Sequence, residues 1–129
     1  MKIMYPALFH EENGSYWVEF PDLIGCQSFG DSKEEIYYNA EEALEAFALA
    51  LLEEKQPLPQ PSDVRNIKVN KNSFSSYVTA DLSAYLNKAK AVKKTLTIPA
   101  WLNDAACQRG INFSQVLQES LLQKMNFIH

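Results

Sequence analysis

Residues 93–99, KKTLTIP, alternate polar and apolar side chains and then stop at a proline. The alternation is that of a strand with Leu96 and Ile98 on one face and Lys93, Thr95 and Thr97 on the other, because successive strand side chains point to opposite sides. From Pro99 to His129 the chain reads as helix, so this strand has no mate in its own segment. An unpaired strand exposes a row of backbone amides and carbonyls that seek another chain. The need for a second strand from elsewhere constrains the fold more than any other feature of the sequence.

The helices that follow share the same dependence. Pro99 suits the first turn of a helix, where its missing N–H is no loss. That helix runs to Arg109 with Leu102, Ala105 and Ala106 inward, and Gly110 ends it. Asn112 caps a second helix with Gln115 at the capping-box position. Phe113, Val116, Leu117, Leu121 and Met125 give it an apolar face to about Lys124. One strand and two helices this short cannot enclose enough apolar surface to be stable alone. Two copies, paired strand to antiparallel strand, would complete both the ribbon and the core.

The preceding residues carry a different pattern. Strands are expected at Met1 to His10 and Ser15 to Phe20, joined at Asn13-Gly14, a pair that readily takes the positive φ angles of a tight hairpin. Gly25 to Asp31 is a third strand. Ser32 with Glu35 then forms a capping box, and Ile36, Ala40, Ala43, Leu44, Phe47 and Leu51 recur at helical spacing until about Lys55. Beyond PLPQPS, residues 57–62, both DVRNIKVN and FSSYVTADL read as strands, and Asp81 or Ser83 caps a short helical turn over Ala84 to Lys88. The chain thus divides into residues 1–86, a connection at 87–92, and a module at 93–129.

Charge follows the same division. Residues 1–62 hold 12 acidic and 3 basic side chains, net −9, whereas residues 63–129 hold 4 acidic and 9 basic, net +5, within a total of −4. Such asymmetry points to two surfaces serving different partners. The apolar run Ala46 to Leu52 is far shorter than the roughly 18 residues of a membrane span, and the opening residues lack a signal-peptide core. A cytoplasmic protein without a membrane partner is expected. Cys26 and Cys107 form no CxxC pair, so both read as reduced packing residues.

Catalysis finds little support. Glu19 and Asp22 are neighbouring carboxylates without a clearly placed third acid, whereas a metal-dependent nuclease needs several converging on divalent ions. His10 and His129 have no serine or cysteine at a recognisable spacing. No enzyme, metal or cofactor is expected, and Tyr16, Trp17, Phe20 and Phe29 read as core aromatics.

The order of strand, Pro-started helix, Gly turn and capped second helix over Lys93 to Asn126 resembles the ribbon-helix-helix family of dimeric DNA-binding proteins. The resemblance implies that Lys93, Lys94, Thr95 and Thr97 face operator double-stranded DNA, since paired strands of this kind enter the major groove. It implies that the free amides at Phe113 and Ser114, after the cap Asn112, hold a backbone phosphate. The dimer core would then comprise Leu96, Ile98, Leu102, Phe113, Leu117 and Leu121.

The first half is similar to the HicB antitoxin family in YPALF, YWVEFPDLIGC, the Gly30-Asp31-Ser32 turn, EEIYYNAEEALEAF and the PQPS segment. Together the two resemblances imply an α+β chain: a partial RNase H-like domain of antiparallel strands packed on one long helix, then a ribbon-helix-helix. They imply a homodimer or higher homo-oligomer that blocks a HicA-type mRNA-cleaving toxin and represses its own operon. Glu19, Asp22, Glu41 and Glu45 are the expected toxin-facing acids. A stand-alone ribbon-helix-helix regulator with an N-terminal ligand- or protein-sensing domain is the alternative, and a nuclease the third reading.

Overall fold

The computed structural model describes every residue except Ala89. The connection expected at 87–92 includes that residue, which lies outside the described set. Strands β1 (Lys2–Glu12), β2 (Ser15–Glu19), β3 (Gln27–Gly30) and β4 (Ser73–Asp81) form one antiparallel sheet in the order β3-β2-β1-β4. Helices are α1 (Lys33–Glu53), α2 (Ser83–Lys88), α3 (Ala100–Gln108) and α4 (Phe113–Lys124). The chain is α+β.

The β1–β2 hairpin turns at Asn13 and Gly14, whose φ angles of 52° and 80° are both positive, as a tight two-residue turn matching strand twist demands. Gly25, with φ 94°, lies in the turn before β3 and shortens that strand to Gln27–Gly30. At the next junction Ser32 Oγ accepts the Glu35 amide and starts α1.

Helix α1 buries Ile36, Ala40, Leu44, Ala48 and Leu52, one residue in every four. The two alanines leave room for the helix to lie close on the sheet. Ile3, Tyr5, Ala7 and Phe9 of β1 meet this stripe with Val18 of β2 and Val78 of β4. Phe9 stacks on Tyr37 of α1 at 4.8 Å and on its cross-strand neighbour Phe74 at 4.9 Å. Tyr37 donates its hydroxyl hydrogen to Ser76 Oγ, tying helix to sheet without stranding a polar atom.

The strand expected at residues 63–70 is absent. Residues 63–70 form a short 3-10 turn, Val64–Asn66, instead of an extended segment. Two causes are visible. Asp63 accepts the Arg65 amide and bends the chain, and β4 already fills the β1 edge along Lys2 to His10. The segment instead lies against the sheet face opposite α1, where the Val64 amide donates to the Tyr77 hydroxyl.

The end of the chain joins the same core. Ile128 is buried, Leu122 and Phe127 pack against the cluster, and the Leu58 amide donates to the Phe127 carbonyl at 2.8 Å.

Candidate functional site

In residues 90–99 every side chain is exposed, and no strand forms there in the single chain. The expected β-ribbon is therefore not formed by one copy: Leu96 is 58% exposed and Ile98 42%. Pro99 occupies the N-cap position of α3, one residue earlier than first-turn placement, and its carbonyl accepts the amides of Leu102 and Asn103. Gly110, φ 65°, closes α3 with its amide donating to the Cys107 carbonyl. A left-handed residue at this point is the commonest way to end a helix.

Asn112 caps α4 by accepting the Gln115 amide at 3.1 Å. The amides of Phe113 and Ser114 therefore precede both that bond and the first backbone bond, from the Val116 amide to the Asn112 carbonyl. Lys93, Lys94, Thr95 and Thr97 are open to solvent. Of the expected dimer core, Leu96, Ile98, Leu102, Phe113 and Leu121 are exposed and Leu117 is half-buried. Trp101, Val116 and Met125 extend the same uncovered apolar population.

The four acids assigned to the first half do not share a surface. Val18 faces α1, so its strand neighbour Glu19 points to the other side of the sheet, where its Oε2 lies 3.1 Å from His10 Nε2. Asp22 accepts both the amide and the hydroxyl of Ser62, tying the turn after β2 to the segment after α1. Glu41 and Glu45 lie on α1, in the other layer, with Glu41 exposed and Glu45 half-buried. Glu19 and Glu41 are thus separated by the thickness of the domain.

The aromatics divide as well. Phe20 is buried and Tyr16 packs against the core, but Trp17 and Phe29 belong to the open sheet face. Trp17 stacks on His10 at 4.0 Å with 13° between the rings, and Phe29 is its cross-strand neighbour on the other side. Phe29 is 69% exposed, so the reading of these residues as core fails for it. The clue was in the alternation: Val18 inward in β2 places Trp17 and Glu19 outward together.

Ionisable groups show structural roles. Burial raises the Tyr5 hydroxyl to about 12 and the Cys26 thiol to about 11. Hydrogen bonds from Ser83 hold the Asp81 carboxyl down at about 2. Among the described residues, no three His, Cys, Asp or Glu side chains gather as metal ligands, and no helix is long and apolar enough to cross a membrane.

Comparison with known proteins gives these features a frame. Residues 5–119 match the family described as HicB-like antitoxin of bacterial toxin–antitoxin systems. The chain is similar to one in a toxin–antitoxin complex from Streptococcus pneumoniae, 32% identical with a TM-score of 0.62, covering 96% of this chain and 99% of that one. It also resembles a chain of a HicA3 and HicB3 toxin–antitoxin complex, 30% identical with a TM-score of 0.52, covering 61% of this chain and 99% of the other. The antitoxin HicB of Burkholderia pseudomallei shares the fold at 22% identity, TM-score 0.71, over 96% of this chain and 99% of that one. An antitoxin acts as a regulator, not an enzyme, and with a family match spanning nearly its whole length, this chain belongs to the HicB-like antitoxins of bacterial toxin–antitoxin systems.

Proposed function

We propose that this antitoxin neutralises a HicA-type mRNA-cleaving toxin through residues 1–86 and represses its own operon as a dimer through residues 93–129. The first part would be a partial RNase H-like toxin-binding domain, the last a ribbon-helix-helix, with residues 87–92 as the connection. The observation that carries the DNA-binding half is the uncovered strip of Leu96, Ile98, Leu102, Phe113 and Leu121. Apolar residues spaced for a core, yet open to water in one chain, fit pairing with a second copy. Two antiparallel copies of residues 93–98 would bury Leu96 and Ile98 and turn Lys93, Thr95 and Thr97 to a major groove. The Phe113 and Ser114 amides, at the positive end of α4, suit a flanking phosphate.

The toxin-binding half draws support from the structural relatives in toxin–antitoxin complexes, one of them naming HicA3. It also draws on the net charge of −9 in residues 1–62, which would steer an oppositely charged partner and keep this half off DNA. The test is coexpression with the neighbouring small reading frame. Copurification, relief of mRNA cleavage and a footprint on the operon's own promoter are the expected results. Operator binding without any copurifying toxin would instead favour a stand-alone regulator.

A further inference from the structure

The sheet has two faces, and α1 covers only one of them. On the other, the 3-10 turn lies over β4 at Tyr77, whereas the part formed by β2 and β3 stays open. Across that open part runs a row of three rings: Phe29 beside Trp17, and Trp17 stacked on His10. The stack and the His10–Glu19 contact hold the middle of the row in place, so its geometry is set before anything binds. Phe29, at the end of the row, has neither, and its ring stands in water. A large exposed aromatic beside a pre-set apolar surface is the composition of an interface centre.

Charge selects what can cover it. Residues 1–31, which supply β1, β2, β3 and their turns, carry Glu11, Glu12, Glu19, Asp22 and Asp31 against Lys2, and Lys71, from the turn before β4, joins Glu11 and Glu12 beside His10 and leaves the rim net acidic. Nucleic acid and an anionic membrane are repelled by this rim, and a second copy would bring the same acids together. A protein with a basic rim and an apolar centre fits. We propose that the toxin docks on the Phe29–Trp17–His10 row, with Phe29 as the anchor, and not on the acidic outer side of α1. This deepens the antitoxin reading and rests on it.

The test uses the full-length antitoxin and the toxin encoded beside it, with dissociation constants and off-rates measured for three forms. Phe29→Ser changes an exposed side chain, and an unchanged urea midpoint confirms that the fold is intact. It is expected to weaken toxin binding by at least ~10-fold, mainly through faster dissociation. Phe29→Tyr, which keeps the ring, should restore most of the affinity. Glu41→Gln/Glu45→Gln, on the opposite layer, should stay within about twofold of the parent, a change below that of a hot-spot residue. On toxin binding, amide exchange should slow at residues 15–19 and 27–30.

Phe29→Ser binding as tightly as the parent, or a larger loss from the helix variant, overturns the proposal. So does a fall in oligomer mass with toxin affinity unchanged, which would assign the row to a second copy. If the parent itself fails to bind the toxin, the antitoxin reading fails first and this docking site goes with it.

Discussion

A β-carbon placed on Gly30 would lie 2.7 Å from the backbone nitrogen of Ile36 and 3.0 Å from its α-carbon. The end of β3 and the first turn of α1 therefore meet backbone to backbone, and neither side has a flexible side chain to yield. Gly30→Ala should cost about 1–3 kcal/mol, the usual range for forcing extra volume into a packed site. Urea unfolding followed by circular dichroism measures it. A midpoint equal to the parent's would show that helix and strand part more easily than this spacing implies.

Asp81 offers a second test, through acid. Its Oδ1 accepts the Ser83 hydroxyl at 2.6 Å and the Ser83 amide at 3.0 Å. These bonds favour the charged carboxylate and bring it from 3.8 down to about 2. A depressed folded value means the contribution to stability is complete above the unfolded value and is lost as pH falls from about 4 to about 2. Ser83→Ala removes the hydroxyl, the larger cause, so the Asp81 midpoint should move up toward 3.8 in a carboxyl-detected NMR titration. An unmoved midpoint would mean that the backbone amide and the Met1 ammonium suffice without the hydroxyl.

The two cysteines should separate by reactivity. Cys26 is buried, its thiol donates to the Ala43 carbonyl, and burial raises it to about 11, so little thiolate exists at neutral pH. Cys107 is exposed. Iodoacetamide should modify the native protein at Cys107, with Cys26 following only after denaturant is added. Mass spectrometry of native and unfolded samples distinguishes them, and equal labelling of both would place Cys26 outside the core.

Local signals carried most of the fold. The hairpin at Asn13-Gly14, the start of α1 at Ser32 and the cap of α4 at Asn112 each rest on two or three adjacent residues whose chemistry has one economical outcome. The strand misread at residues 63–70 shows where that stops. Val64, Ile67 and Val69 have strand propensity, but propensity does not reveal that another segment already occupies the edge beside β1. The same limit applies to the acids. Counting Glu19 and Glu41 in one acidic half says nothing of the sheet and helix that separate them, and the row at Phe29 emerges only once β2 and β3 are paired. In the last module the alternation of Leu96 and Ile98 was legible, yet in one copy both sides of residues 93–98 face solvent equally.

That last point gives the prediction with the widest reach. If Leu96 and Ile98 become interior only when two chains pair, Leu96→Asp places a carboxylate in the shared core, and burying a lone charge is prohibitive. Sedimentation should then show a single chain whose sheet domain still unfolds cooperatively, and operator binding should vanish. Thr95→Ala/Thr97→Ala should behave differently, because in the proposed ribbon those side chains take the other face. On the proposed pairing the dimer should persist, affinity for random DNA should be kept, and discrimination of the operator should drop by about 0.5–1.5 kcal/mol per lost hydrogen bond, less than a bidentate pair would contribute. In the parent, log affinity should fall linearly with log salt, since each lysine set against a phosphate releases counterions. Lys93→Ala/Lys94→Ala should lower that slope equally on operator and random DNA. A compact, DNA-binding dimer formed by Leu96→Asp would mean that the two faces of residues 93–98 are assigned the wrong way round.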